Sequence, residues 1–441
     1  MVDQSPTVSR PSPKEFEVVV SGLTDDGLGI AAINDRPFHV RNALPGETVQ
    51  ARLLRKRKGL RYGDGVAVLD AAHTDRTTPV CGYFPRCGGC SLQHMAYDFQ
   101  LRHKENQIRE ALGRCGIEPG RWADPVSTGE HSYRRKARLG VRVVGGEVLV
   151  GFRESFSNRV ARMTRCETLS PELGELVAPL RETIGALSEP DKIPQIELAQ
   201  GDRGVVIIVR HLNTLTPADA ELWGKFADQH NVEVLSQSGG YETVQGLTGL
   251  PVPKLHYQLE SLRMEFDPRQ FTQVNADMNA RLVATALEYL HPLTDKDLID
   301  LFCGIGNFSL PLAYAGASVL GVEFSNESVH QAQLNAEING LAGVEFSAAD
   351  LYKDSQFLEL KPNATALLLD PPRSGAGPLL TAWLQKLTHL EEIIYVSCKP
   401  QSFAEDVLVM EQIGFRLVEV GAYDMFPQTA HVETIGYLQR R

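Results

Sequence analysis

Hydrophobic and polar positions follow three successive rhythms along this chain. From Glu15 to Ala71 the apolar runs are short and interrupted by glycine: Phe16–Val20, Gly27–Ile33, Arg36–Val40, Thr48–Leu54 and Asp64–Leu69. Five strands in so short a stretch predict a small β-barrel of the oligonucleotide-binding kind. Residues 94–114 switch to helical spacing, with Tyr97, Leu101, Ile108 and Leu112 on one face. Residues 125–264 mix strands such as Tyr133–Leu139, Glu147–Phe152 and Gly204–Arg210 with helical stretches, an α+β pattern. From Asp267 the rhythm becomes a strand–helix alternation, with apolar strands ending at Ile299, Val322, Ser347, Leu369, Ser397 and Val420. It predicts a doubly wound, Rossmann-like α/β sheet, which binds ligands beyond the carboxyl ends of its strands.

A chain of 441 residues is too long for one core. The rhythms divide it into a barrel at 12–72, a central domain at 73–264 and a Rossmann-like domain at 265–441. Residues 93–124 are expected to pack against the last of these, and residues 1–13 read as a polar tail. No apolar run reaches the roughly 18 residues of a membrane span. The N-terminus lacks the basic flank and apolar core of a secretory signal, so a cytoplasmic protein is expected. Charge changes the picture further. Residues 1–170 carry 26 Lys and Arg against 19 Asp and Glu, whereas the remainder carries 18 against 36. A basic front on an acidic back suits a polyanion-binding module joined to an enzyme. Within the front, Arg55-Lys56-Arg57-Lys58, flanked by Arg52 and Arg61, points to phosphate binding.

The strand ends carry the candidate chemistry. Asp300-Leu-Phe-Cys-Gly-Ile-Gly-Asn-Phe308 is a Gly-rich turn between a strand and a helix start, and Gly304 and Gly306 admit close backbone approach to a ligand. Ser309 stands where a dinucleotide fingerprint has its third glycine, and Glu323 ends the next strand, where a carboxylate can hold ribose hydroxyls. The turn suits an adenosine cofactor without a pyrophosphate, of which S-adenosylmethionine is the commonest. Asp370-Pro-Pro-Arg373 and Ser397-Cys398-Lys399 close two further strands. Cys398 can face the crevice there, and Lys399 would favour its thiolate. Glu433 lies beyond the last apolar strand, Phe415–Val420, where position alone makes it a surface carboxylate. Cys81, Cys87 and Cys90 form a metal-ligand nest. Cys115 and Cys166 are both available as the fourth ligand, and spacing fits zinc and iron–sulfur equally.

Val40–Val49 resembles part of a TRAM domain, a module of RNA-modifying enzymes. Phe271–Asn275, Asp300–Phe308, Asp370–Gly375, Val396–Pro400 and His431–Ile435 together resemble the RNA (uracil-C5)-methyltransferase family, over nearly the whole chain. The resemblance implies that Cys398 adds to C6 of uracil, making C5 nucleophilic, and that Glu433 removes the C5 proton after methyl transfer. It places Gln273, Phe302, Asn307, Glu323 and Asp350 around S-adenosylmethionine, with Asp370 at the uracil edge. Members with Cys-x5-Cys-x2-Cys carry a [4Fe–4S] cluster, which implies Cys81, Cys87, Cys90 and Cys166 as ligands. A TRAM domain with this cluster is similar to the branch acting on uridine 1939 of 23S rRNA. The implied partner is therefore RNA, with 23S rRNA foremost, no membrane, and a monomeric enzyme. Another rRNA site or tRNA is the alternative. Asp-Pro-Pro also fits an amino-group methyltransferase, and a non-catalytic RNA-binding protein on the same fold is a third reading.

Overall fold

Short glycine-broken strands near the N-terminus cannot bury a face alone, and they do so by curling into one sheet. The computed structural model describes residues 14–247, 249 and 251–441; the expected tail at 1–13 lies outside the described residues. The N-terminal sheet has six strands, ordered Glu15–Val19, Thr48–Arg57, Leu60–Val68, Arg36–Arg41, Gly29–Ile33 and Gly22–Leu23. One more strand than expected is present because Gly22–Leu23 pairs with Gly29–Ile30. The sheet wraps around Val20, Phe38, Val40, Val49 and Ala51. Gly63 is needed there: a Cβ would meet the Phe38 ring at 2.4 Å and the Arg52 carbonyl oxygen at 2.6 Å. The basic run forms the tip of a hairpin rather than a separate loop. Arg57 pairs with Leu60 across Lys58 (φ 47°) and Gly59 (φ 82°), the two positive φ values that a tight hairpin turn demands. Lys56, Arg57 and Lys58 are exposed, whereas Arg52 pairs with Glu15 at 2.9 Å.

The central sheet runs Val244–Gly246, Glu233–Gln237, Val205–Arg210, Gln195–Gln200, Lys136–Val144, Glu147–Gly151. Its core of Leu139, Ile196, Ile207, Trp223 and their neighbours includes Cys87 and Cys166. Residues 160–164 make only a bridge, between Val160 and Arg153. The expected boundary at 265 falls inside the hairpin Leu255–Leu259/Leu262–Phe266. That hairpin buries Leu259, Leu262 and Met264 with Leu282, Leu298 and Ile394, and Leu255 and Phe266 with Val206, Ile208 and Leu235 of the central sheet.

Seven strands form the C-terminal sheet: β1 Asp297–Leu301, β2 Ser318–Glu323, β3 Val344–Ala348, β4 Ala366–Leu369, β5 Glu392–Ser397, β6 Phe415–Tyr423 and β7 Glu433–Arg440. Their order is β3-β2-β1-β4-β5-β7-β6, with Arg121–Trp122 added beside β6. β1 to β5 are parallel, and β7 lies antiparallel between β5 and β6. Sequence periodicity missed β7 because it is buried on both faces from Glu433 to Tyr437, leaving no alternation to read. The helix Tyr97–Arg114 packs on this sheet through Ile108, Ala111 and Leu112. Its buried face also holds Gln100, His103, Lys104 and Gln107, and is rotated from the apolar stripe through Tyr97 and Leu101 that spacing suggested.

Candidate active site

The turn after β1 depends on backbone that only special residues tolerate. Phe302, Gly304 and Gly306 have φ of 65°, 57° and 90°, and the non-glycine at 302 is of the kind that clusters at functional sites. The Gly304 N–H donates to Glu323 Oε2 at 3.2 Å and the Ser325 N–H to Oε1 at 3.0 Å, which aims the carboxylate at the end of β2. Beneath the turn Asp300 is wholly buried and accepts a 2.5 Å hydrogen bond from Ser309 Oγ. Burial pushes its carboxyl up to about 7, against that bond.

A cleft of about 900 Å³ opens over these strand ends. Gln273, Phe302, Glu323, Asp350, Asp370, Cys398 and Glu433 all line it, so seven of the eight expected cofactor and catalytic residues share one cavity. Asn307 does not line it. Its amide exchanges two 2.8 Å hydrogen bonds with Asn279 and accepts another from Tyr257 at 3.1 Å, so it buttresses the turn from behind. Strand order sets the layout: Phe302 follows β1 and Glu323 ends β2, whereas Asp370 and Cys398 follow the adjoining β4 and β5 and Glu433 opens β7. Asp350 follows β3 and pairs with Lys353 at 2.8 Å, which holds its carboxyl below the ordinary range. Gln273 sits on a loop held from the central sheet. There the half-buried Lys136 donates to the Pro268 and Gln270 carbonyls, and the Arg135 N–H donates to the Val274 carbonyl at 2.9 Å. Burial pushes Lys136 down to about 8.

The reacting end is crowded with acids. Burial and then the charges of Glu433 and Asp370 push the Cys398 thiol up, while Arg373 opposes them. Burial lifts Asp370 to about 7. Glu433, the first residue of β7, is raised well above the usual range by burial and by Asp370, again opposed by Arg373. The expectation about Lys399 is corrected here: Lys399 is exposed and absent from the cleft wall, and the cation beside the thiol is Arg373. β5 ends at Ser397, and past the bend at Cys398 the chain leaves Lys399 on the exposed side, at the start of the next helix. Sequence reasoning also passed over Phe271, Phe324, Tyr352, Phe426 and His431, which complete the wall. Phe271 and Phe324 are 78% and 70% exposed, large aromatics that no core accounts for.

Cys81, Cys87, Cys90 and Cys166 line a second, small, mainly apolar pocket with Phe84, Phe152 and Met163. The Gly88 N–H donates to Arg153 O at 2.8 Å and the Ser155 N–H to Arg86 O at 3.0 Å, folding the cysteine loop onto the central sheet. A Cβ on Gly88 would stand 2.7 Å from that Arg153 oxygen. Burial pushes Cys87 and Cys90 up to about 12. Cys115 lies elsewhere, packed on the C-terminal core. Among the described residues no three His, Cys, Asp or Glu side chains are grouped to hold a single metal ion.

Two family models match the chain: tRNA (Uracil-5-)-methyltransferase over residues 250–441 and TRAM domain over residues 14–68. The 23S rRNA (uracil(1939)-C(5))-methyltransferase of Stenotrophomonas maltophilia is 41% identical over 98% of this chain and 99% of its own length. The enzyme of the same description from Nitrosococcus oceani is 42% identical over 96% and 95%. The crystal structure of Pyrococcus abyssi tRNA (uracil-54, C5)-methyltransferase in complex with S-adenosyl-L-homocysteine shares the fold with a TM-score of 0.75, at 22% identity, over 96% of this chain and 99% of that one. With relatives this similar along the whole length, and with the TRAM module in front, the chain belongs to the RNA (uracil-C5)-methyltransferase family.

Proposed function

We propose that this protein transfers a methyl group from S-adenosylmethionine to C5 of a uracil in RNA, at uridine 1939 of 23S rRNA, the position named for its full-length relatives. One observation carries the chemical reading: Cys398, Asp370, Arg373 and Glu433 line the same cleft as the glycine turn and Glu323. A nitrogen-methylating enzyme needs no thiol there. The residues fit the methyl donor, since Glu323 is aimed by two backbone N–H groups and Gly304 has open space where a Cβ would stand. Gln273, Phe302, Glu323 and Asp350 would hold S-adenosylmethionine, which supplies an electrophilic methyl group. Asn307 would keep the turn in shape. The Cys398 thiolate adds to C6, placing enolate character on C5, and Asp370 holds the uracil edge by hydrogen bonding. Once C5 carries the methyl group, a Glu433 carboxylate oxygen takes the C5 proton. The electrons of the C–H bond then re-form the C5–C6 double bond, and sulfur leaves. The target base must leave its stack to enter.

Four thiols on the wall of one apolar pocket also support a [4Fe–4S] cluster on Cys81, Cys87, Cys90 and Cys166. A single zinc would draw its sulfurs to one point at about 2.3 Å. A cubane gives each thiolate its own iron and leaves them apart. The TRAM barrel, the central domain and the methyltransferase domain act as one cytoplasmic monomer in this reading. No helix among the described residues is long and apolar enough to cross a membrane.

Two measurements test the reading. With labelled methyl donor and unmodified 23S rRNA, Cys398→Ala should form no covalent adduct and transfer no methyl group. Glu433→Gln should trap methylated RNA on the protein in a denaturing gel; release at the natural rate would remove Glu433 from the mechanism. Separately, anaerobically purified protein should contain iron and acid-labile sulfide. Cys166→Ala should lose them and Cys115→Ala keep them, and the reverse would exchange the ligand.

A further inference from the structure

The segment that leads Glu433 into the cleft, Asp424–Val432 between β6 and β7, contains a residue its own backbone disfavours. Gln428 has φ 67°, in the left-handed region where a side chain other than Asn, Asp or His is uncommon and persists only if its surroundings fix it. Those surroundings are explicit. Gln428 is buried, and its carbonyl oxygen accepts the N–H groups of Ser91 at 2.9 Å and Leu92 at 3.0 Å. Its Oε1 accepts from Gln100 Nε2 at 3.0 Å, and its Nε2 donates to Glu130 at 3.2 Å. All four partners lie within residues 91–130, on the far side of the sequence. The same region grips the segment on both sides of Gln428. Lys104 Nζ donates to Asp424 at 2.5 Å and to Phe426 O at 3.1 Å, and Gln107 donates to Ala430 O at 3.1 Å.

We propose that Gln428 is a positioning residue for the deprotonation step. It does not line the cleft; it fixes the approach to β7 so that the Glu433 carboxylate meets the C5 proton. Cys398 and Asp370 follow β5 and β4, which the parallel ladder holds independently of this segment. Phe426 and His431 of the segment line the cleft wall, but none of the groups assigned to adduct formation belongs to it, so loosening it should leave adduct formation and methyl transfer nearly unchanged and slow the last step. This rests on the assignment of Glu433 as the C5 base.

Gln428→Gly relieves the positive φ and keeps the carbonyl bonds to Ser91 and Leu92 while removing both amide contacts. Gln428→Asn also tolerates that φ but is shorter by one methylene. The natural chain, both variants and Glu433→Gln are compared in single turnovers with labelled methyl donor and unmodified 23S rRNA. In both Gln428 variants label should enter the RNA–protein band within about twofold of the natural rate, and release of methylated RNA should slow about tenfold to a hundredfold, so the band accumulates. Unchanged S-adenosylhomocysteine affinity should accompany this. Release at the natural rate, or labelling and release falling together without an accumulated band, overturns the proposal. If Glu433→Gln traps the adduct while the Gln428 variants do not, only the positioning role fails. If Glu433→Gln releases product normally, the underlying assignment falls as well.

Discussion

Arg373 sits where burial raises the proton affinity of Cys398, Asp370 and Glu433 alike, with Glu433 and Asp370 adding to that of Cys398 and Asp370 to that of Glu433. The reactive forms are the thiolate and the carboxylate, and both pKa values lie above their ordinary positions, so activity should climb as pH rises through neutrality. Among the described residues, Arg373 is the cation that favours the thiolate. Removing it in Arg373→Met should push the thiol higher, and each unit of displacement costs about tenfold in thiolate at neutral pH. Rapid-quench measurement of adduct formation against pH should show a profile displaced to the alkaline side; an unmoved profile would deny Arg373 this part. The motif Asp-Pro-Pro-Arg was legible in the sequence, but the pairing of its arginine with a thiol 25 positions later was not. Lys399, the nearer cation in the chain, is exposed because the chain bends after β5 and turns into the next helix there.

At the scale of elements, the helix Tyr97–Arg114 shows what periodicity reads and what it misses. Spacing located the helix, but polar side chains make much of its buried face: Gln100, Lys104 and Gln107 bond to Gln428, Asp424 and Ala430 near the C-terminus, and His103 to the Asp25 carbonyl. Lys104 and Asp424 are 1% and 0% exposed and lie 2.5 Å apart. Burial pushes the Lys104 ammonium down, and the Asp424 carboxylate opposes it. Removing one charge strands the other: Lys104→Met should destabilise the fold by about 3–5 kcal/mol, whereas Lys104→Met with Asp424→Leu should recover most of that loss. Denaturant midpoints of the two variants decide it, and equal losses would mean that the stranded charge is not the cause. β7 is the complementary case, a strand with both faces buried and no alternation, so Glu433 looked like a surface carboxylate until the sheet closed around it.

Across the whole molecule, the basic front half is a nearly neutral barrel with a basic hairpin tip followed by a basic stretch at 73–170, and the acidic back half includes the methyltransferase domain. Lys56, Arg57 and Lys58 stand exposed at the hairpin tip, whereas Arg52 pairs with Glu15 and Arg55 donates to the Phe156 carbonyl at 3.2 Å. The free charges, fewer than the run suggests, are those available to phosphate. Arg57→Glu with Lys58→Glu should weaken 23S rRNA binding and flatten the log–log salt dependence by about one to two, leaving S-adenosylhomocysteine affinity unchanged. An unchanged salt slope would place the RNA elsewhere.

The sequence by itself determined the Rossmann-like alternation, the curled N-terminal sheet and the family, because spacing, turn glycines and short motifs are local properties. It also marked Gly304, Gly306, Glu323, Asp370 and Cys398 as strand-end residues, since a parallel sheet leaves few other places for them. Tertiary structure alone decided that Asn307 turns to Asn279, that Arg373 rather than Lys399 accompanies the thiol, and that Cys166 rather than Cys115 joins the other three cysteines. It also decided that Glu433 is buried. These depend on contacts across the chain, of the kind that spans the 320 positions between Lys104 and Asp424. Burial there sets proton affinity and hydrogen-bond choice, and no local periodicity encodes which distant partner will be present.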